Sequence, residues 1–297
     1  MEYALFQAAC CATMRQWLGR GEILNSTKIG FIGAGNMANS LIRGLIAKGT
    51  LAQNIWASDL DADKLNLLAS DCGIHAGSNH DIAANADVIV LAVKPQVMKV
   101  ACQALAADLN GRAVLLISIA AGITTSHLEN WLGQSAAIVR CMPNTPALVG
   151  MGASGLFANS RVSQQQKQLA EDVISAVGFV SWVDKDSDID IVTAVSGSGP
   201  AYFFLFMEAM QTTAKEMGLS EELARELTYH TAAGAAALAR QSKDDIATLR
   251  KNVTSPGGTT EQAILQFESG DLRGLVAKAL NAARTRSIEL AEETDNT

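Results

Sequence analysis

The sequence predicts an α/β fold, a doubly wound parallel sheet followed by an all-helical C-terminal domain. Three observations carry this. From Lys28 to Val183, short apolar segments alternate with helical stretches; a glycine-rich turn joins the first of each; and beyond Asp184 the pattern becomes almost wholly helical.

The elements follow in order. Lys28–Ile32, Asn54–Ser58, Asp87–Val93, Ala113–Ile119 and Ala136–Arg140 are short and largely apolar, as parallel strands covered on both faces should be. Helices are predicted over Asn36–Lys48, Asp61–Ala69, Gln96–Asp108 and Thr124–Trp131. Two further strands, Ala153–Phe157 and Phe179–Val183, flank a helix at Ser163–Val177 and extend the same sheet. The polar run Asp184–Asp188 reads as a junction. After it, Pro200–Met217 carries Phe203, Phe204, Leu205, Phe206, Met207 and Met210, so this helix is expected to be buried on most sides and to meet a partner subunit. Glu221–Gln241 is alanine-rich, which lets helices approach closely. Asp271–Glu293 closes the chain as an amphipathic helix. The expected domains are 28–184 and 185–297, preceded by residues 1–27. That leading stretch lacks the basic start of a signal peptide and reads as an appended arm, or as a start upstream of initiation near Met14.

Composition narrows the function. The 297 residues are 48% hydrophobic with a net charge of -7, and no basic stripe could track nucleic acid. No apolar run approaches the roughly 18 residues of a membrane span. Five scattered cysteines without a Cys-x-x-Cys pair suit free thiols in a reducing compartment, and the four histidines show no metal-ligand spacing. No metal, nucleic acid or membrane partner is expected.

Four segments converge on one sheet edge. Gly33-Ala34-Gly35-Asn36-Met37-Ala38 is a Gly-x-Gly-x-x-Ala turn after strand Lys28–Ile32, where Gly33 permits the bend, Gly35 admits a pyrophosphate and Ala38 allows close packing. Asp59 after the second strand would hold ribose hydroxyls and point to NAD, whereas Ser58 with Lys64 would accept a 2′-phosphate; both cofactors stay open. Ala92-Val93-Lys94-Pro95 and Ala120-Ala121-Gly122 end two more strands, and Met142-Pro143-Asn144-Thr145-Pro146 follows another. In the helical domain, Ser196–Tyr202 is a Ser/Gly-rich helix entry. Val253-Thr254-Ser255-Pro256-Gly257-Gly258-Thr259-Thr260 forms a tight turn ahead of a helix that Thr259 is expected to cap with Gln262, leaving free N–H groups for a carboxylate or phosphate.

Gly-Phe-Ile-Gly-Ala-Gly-Asn-Met, Ala-Val-Lys-Pro, Ser-Ile-Ala-Ala-Gly, Met-Pro-Asn-Thr-Pro, Ser-Gly-Ser-Gly-Pro-Ala-Tyr and Val-Thr-Ser-Pro-Gly-Gly-Thr-Thr occur in this order. Together they resemble the pyrroline-5-carboxylate reductases over Lys28 to about Glu293. The resemblance implies a Rossmann-type domain and a helical dimerisation domain. It implies reduction of (S)-1-pyrroline-5-carboxylate to L-proline, the last step of proline biosynthesis, with NADPH and NADH as the alternative, in a cytoplasmic homodimer that can assemble into a decamer. By motif, Ile32, Gly33, Ala34, Gly35, Asn36 and Met37 would cradle the pyrophosphate. Ser58 and Asn79 would lie near the adenosine, and Ala92, Val93, Lys94, Pro95, Ala120 and Ala121 would line the way to the nicotinamide. Asn252, Ser255, Gly257, Gly258, Thr259 and Thr260 would bind the substrate, with Thr260 beside the ring nitrogen as the catalytic group. Two other readings compete: a β-hydroxyacid dehydrogenase, which would need a helix-borne catalytic lysine that Lys215, Lys243, Lys251 and Lys278 do not supply, and a non-catalytic NADP-sensing protein, which would not need the Pro-Gly-Gly loop.

Overall fold

The computed structural model describes residues 24–295. The expectations for the first 23 residues, including Cys10 and Cys11, lie outside the described residues. The described residues divide into two compact units, one of residues 24–197 with 284–295 and the other of residues 198–283.

The first unit is built on an eight-stranded sheet ordered β3-β2-β1-β4-β5-β6-β7-β8, with β1 Ile29–Ile32, β2 Ile55–Ser58, β3 His75–Ala76, β4 Val88–Leu91, β5 Leu115–Ser118, β6 Ala137–Met142, β7 Gly152–Ala158 and β8 Gly178–Trp182. Helices α1 Asn36–Ala47, α2 Ala62–Cys72, α3 Asn79–Asn85, α4 Pro95–Leu109, α5 Thr125–Leu132, α6 Gln164–Ile174 and α7 Asp188–Val192 belong to the same unit. Two apolar layers sandwich the sheet. Ile29, Phe31, Val88, Val90 and Ile117 face one side with Leu41, Ile42 and Leu45, while Ile32, Ile89, Leu91 and Leu116 face the other with Met98, Cys102 and Leu105. Each of these large side chains, fully withdrawn from water, contributes about 1.5–3 kcal/mol.

Every pairing is parallel except β6 with β7, which runs antiparallel with Met142 opposite Gly155. The reversal has a simple cause. Only residues 143–151 connect these strands, mostly a 3₁₀ turn at Thr145–Val149, and that is too short for a parallel crossover. The parallel register aligns Ile32 with Ser58 and Leu91, and Leu91 with Ser118, so the C-terminal ends of four strands share one edge. Strand β3 and helix α3 do not stand out in the sequence pattern.

The unit boundary falls at 197/198 where the sequence suggested 184/185. Asp186 and Asp190 are bound to Arg140 of β6, so the polar run that looks like a linker is part of the first unit.

The second unit comprises α8 Gly199–Glu216, α9 Glu221–Gln241, α10 Ile246–Asn252, α11 Thr259–Ser269 and the first part of α12 Leu272–Asp295. Helices α8 and α9 form a hairpin turned at Gly218 (φ 105), with Ser220 capping α9 through the Leu223 N–H. Contrary to expectation, α8 is not buried within a single chain: Phe203, Phe204 and Leu205 are all more than 60% exposed. Its apolar sequence records a surface that its own chain does not cover. Within the helical stretch Asp188–Glu216, an 18-residue window reaches a mean hydropathy of 1.3, long and apolar enough by length and composition alone to cross a membrane.

Candidate functional site

The β1–α1 turn has the geometry of an anion cradle. Gly33 takes φ 99, and a side chain there would meet the Ala92 carbonyl oxygen at 2.7 Å, so only glycine fits. Its N–H donates to the Ser58 carbonyl at 2.9 Å, and the Ala92 N–H donates to the Ile32 carbonyl at 2.8 Å, which ties the turn to both neighbouring strands. Gly35 is the N-cap of α1 with no side-chain cap, no acid lies in the first turn, and a Cβ at Gly35 would touch nothing within 4 Å. An uncapped helix end facing open space is what a pyrophosphate requires. Ala38 behind it is fully buried.

The second corner is built from Ser58, Asp59 and Asn79. Ser58 is buried and its hydroxyl donates to Asn79 Oδ1 at 2.6 Å, which places Asn79 beside the end of β2. Asn79 gets there because Ser78 caps α3 in a reciprocal box with Asp81. The Ser-x-x-Asp spacing is a capping-box pattern, a cue to this helix that periodicity over seven residues does not supply. Asp59 accepts from the Ala34 N–H at 2.7 Å and the Asp61 N–H at 3.0 Å, and Lys64 Nζ stands 3.7 Å away. Burial pushes its pKa up, but the Asp61 and Ala34 amides and the Lys64 ammonium outweigh that, so the carboxyl lies below its ordinary value.

At β4 and β5 the edge continues. Lys94 is exposed and precedes α4 with Pro95 in the first helical position, again without a side-chain cap. Ala120 is buried and Ala121 half-buried, both leading into Gly122 (φ 72), whose Cβ would sit 3.1 Å from Leu290. Beyond β6, Asn144 is buried and acts as a clamp, donating to the Ser196 carbonyl at 3.0 Å and accepting from the Ala153 N–H at 2.8 Å. Ser196 lies in a π-helical turn, Thr193–Gly197, directly before the Ser/Gly-rich entry to α8.

A feature that sequence reasoning missed lies just behind this edge. Arg140 is 1% exposed, and its guanidinium reaches Asp186 Oδ1 at 3.1 Å and Asp190 Oδ1 at 3.4 Å. Asp186 also accepts from the N–H and hydroxyl of Thr125, and Asp190 accepts from the Ser287 hydroxyl at 2.8 Å. Among the described residues, Arg140 Nε is buried without a hydrogen-bond partner. One cation thus fastens β6, the start of α5, the junction helix and the returning end of α12.

In the second unit, Ser255-Pro256-Gly257-Gly258 closes a tight turn in which the Gly258 N–H donates to the Ser255 carbonyl at 3.0 Å. Pro256 followed by Gly257 at φ 71 matches a type II turn. Gly258, not Thr259, is the N-cap of α11, and it offers no side-chain cap. The expected Thr259–Gln262 capping box is therefore corrected: Glu261 folds back instead and accepts from the Gly257 N–H at 2.8 Å. Thr259 and Thr260 occupy the first turn, with Thr260 half-buried. Asn252 ends α10 and is exposed.

An uncapped glycine turn at the C-terminal edge of a doubly wound sheet, with an acid after the second strand, defines the class of dinucleotide-binding α/β oxidoreductases. Residues 28–122 match the family model described as "NADP oxidoreductase coenzyme F420-dependent", and residues 186–290 match "Pyrroline-5-carboxylate reductase dimerisation". The chain is 53% identical over 243 residues to pyrroline-5-carboxylate reductase of Pseudomonas aeruginosa, covering 82% of this chain and 89% of that one. Among solved structures it resembles a pyrroline-5-carboxylate reductase from Coxiella burnetii (49% identity, TM-score 0.86, 90% and 99% coverage). It also resembles pyrroline carboxylate reductase from Plasmodium falciparum, solved with NADP bound (31% identity, TM-score 0.80, 90% and 99% coverage). The chain belongs to the pyrroline-5-carboxylate reductase family, and its helical C-terminal region is of the family's dimerisation type.

Proposed function

We propose that this chain reduces (S)-1-pyrroline-5-carboxylate to L-proline with NADPH, NADH serving as the alternative donor, as a cytoplasmic homodimer able to assemble further into a decamer. The observation that carries the reading is the Ser255–Gly258 turn ahead of an uncapped helix, an anion cradle in a unit that has no dinucleotide fold of its own. The open, uncapped β1–α1 turn fits the pyrophosphate of a nicotinamide dinucleotide, which when bound supplies the hydride.

The roles follow from chemistry. Gly33 and Gly35 set the turn, and Asn36 and Met37 begin the helix whose free N–H groups meet the pyrophosphate. Ser58 and Asn79 border the adenosine, and Ala92–Pro95 with Ala120 and Ala121 flank the nicotinamide. In the helical unit, the N–H groups around Gly258–Thr260 and the Ser255 hydroxyl hold the substrate carboxylate, with Asn252 at the border. Hydride addition to C=N is favoured when nitrogen carries a proton, because the electron pair then ends on a neutral amine. Thr260 orients that nitrogen by a hydrogen bond; a threonine hydroxyl is too weak an acid to protonate it alone, so the substrate is bound as the iminium or protonated through water. The exposed apolar side chains of α8 are read as subunit contact. The test is oxidation of NADPH or NADH on adding the imine, followed at 340 nm against no substrate and against the aldehydes that β-hydroxyacid dehydrogenases form from their hydroxyacids. Activity confined to the imine supports the reading; equal activity with such an aldehyde, or none with the imine, overturns it.

A further inference from the structure

Two motifs have no part in the roles above: Met142–Pro146 after β6, and Ser196–Tyr202 at the entry to α8. The structure joins them. In a continuous helix the Ser196 carbonyl would accept from the N–H four residues on, but that residue is Pro200, which has none. The turn before it is also irregular. Thr193–Gly197 is π-helical, and the Thr193 and Ser196 hydroxyls bond back to the Ile189 and Val192 carbonyls at 2.8 and 3.0 Å. Asn144 Nδ2 supplies the donor that Pro200 lacks, at 3.0 Å. The Asn144 side chain is itself fixed, because its Oδ1 accepts from the Ala153 N–H at 2.8 Å and its backbone carbonyl accepts from the Ala147 N–H at 3.1 Å. A second contact joins the same two motifs: a Cβ at Gly197 would meet Met142 Cε at 2.5 Å. Gly197 is the last residue of the first unit before the chain crosses to the second.

We propose that Asn144 is a positioning residue for hydride transfer: it stands in for the N–H missing at Pro200 and so fixes the course on which the chain leaves the dinucleotide-binding unit. This rests on the reaction proposed above, in which the hydride donor belongs to one unit and the imine loop to the other. Asn144 acts through Ser196 and not on the reactants. Without it the Ser196 carbonyl has no helical donor to return to, and the π turn is free to take other shapes. Hydride transfer tolerates little of that, since a misplacement of about 1 Å by a remote substitution can cost about 100-fold in rate. The proline and the asparagine are thus halves of one device, the first forbidding the ordinary helical bond and the second imposing another.

The experiment is a single turnover of bound reduced cofactor mixed with saturating imine, followed at 340 nm. Its amplitude reports the folded, competent fraction and its rate constant reports alignment. Asn144→Leu, similar in size but without a donor, is expected to lower the rate constant by about 10–100-fold while the cofactor Kd, titrated by fluorescence, stays within about twofold. Amide hydrogen exchange should quicken in peptides covering 194–203 and stay unchanged over 28–38. Asn144→Asp keeps the acceptor for Ala153 but donates only while protonated, so its rate constant relative to wild type should fall as pH rises. Should Asn144→Leu not fold, that pH profile and the exchange decide. An unchanged rate constant, a loss of amplitude alone, or a slower reaction with unchanged exchange at 194–203 overturns the proposal. A wild type that reduces no imine contradicts the assigned reaction instead; the exchange then decides the link from Asn144 to Ser196, quickened in support and unchanged against.

Discussion

Replacing Arg140 by Met should unfasten the cluster behind the sheet edge. The substitution keeps volume and apolar stem but leaves Asp190 with Ser287, and Asp186 with Thr125, as their remaining named partners. Breaking a buried ion pair from one side costs about 3–5 kcal/mol. Two features of the site reduce that. The Asp186 side chain is 24% exposed and can hydrate once released, and the unpartnered Nε, itself a cost of roughly 1 kcal/mol or more, disappears with the arginine. The net loss should be about 2–3 kcal/mol. For a unit of this size, 1 kcal/mol moves the melting temperature by about 2–4 °C, so a fall of roughly 5–10 °C is expected. Calorimetry at matched protein concentration measures it, since subunit association also shifts Tm. Adding Asp190→Asn to Arg140→Met should recover part of the loss by removing the stranded charge. A single variant melting within 2 °C of wild type, or a double variant melting lower still, would refute the view that the guanidinium neutralises these acids.

Three further outcomes are expected. Thr260→Ala should lower kcat/KM for the imine by roughly 10–100-fold if its hydrogen bond to the reacting group is made in the transition state; an unchanged value removes Thr260 from the chemistry. Glu261→Ala frees the Gly257 N–H and removes a negative charge from the anion cradle, so KM for the imine should fall by about 3–10-fold; a rise would mean that Glu261 helps by holding the turn. Asp59, whose pKa is depressed below its ordinary value of 3.8, stabilises the folded state above that value, and the contribution is lost as pH falls through the lower folded-state pKa. The stability gap between wild type and Asp59→Asn should therefore be constant near neutrality and close at strongly acidic pH; a gap that widens on acidification would contradict the assigned direction.

How much the sequence discloses depends on what kind of interaction holds each part. The β1 turn was legible because Gly33 is demanded by φ and by the Ala92 carbonyl, constraints that leave one residue type. The parallel strands were legible from their continuous apolar runs. Strand direction was not, because alternation is the same either way; the short, proline-bearing connection from Met142 to Met151 was the clue to the antiparallel β6–β7 pair. Strand β3 is two residues long and α3 seven, below the length at which periodicity speaks. Arg140 was hidden for a different reason. A charged residue near a strand end reads as exposed, and its partners lie 46 and 50 residues later in a run that resembles a linker. Helix α8 misled in the opposite sense, since hydrophobicity in sequence does not say which chain supplies the cover.

The closing segment of the chain belongs to the unit that was begun first. Ser287 reaches Asp190 across 97 residues, and Leu290 packs against Gly122. During synthesis, the first unit can assemble its sheet early but must wait for the whole of 198–283 to be made, roughly 4–17 s at ordinary elongation rates of about 5–20 residues per second. Until then the acid at Asp190 lacks its serine and the Gly122 bend lacks its leucine neighbour. A truncation of a dozen residues at the C-terminus would thus be felt as damage to the dinucleotide-binding unit, far away in sequence, and the nascent protein completes its first-made half last.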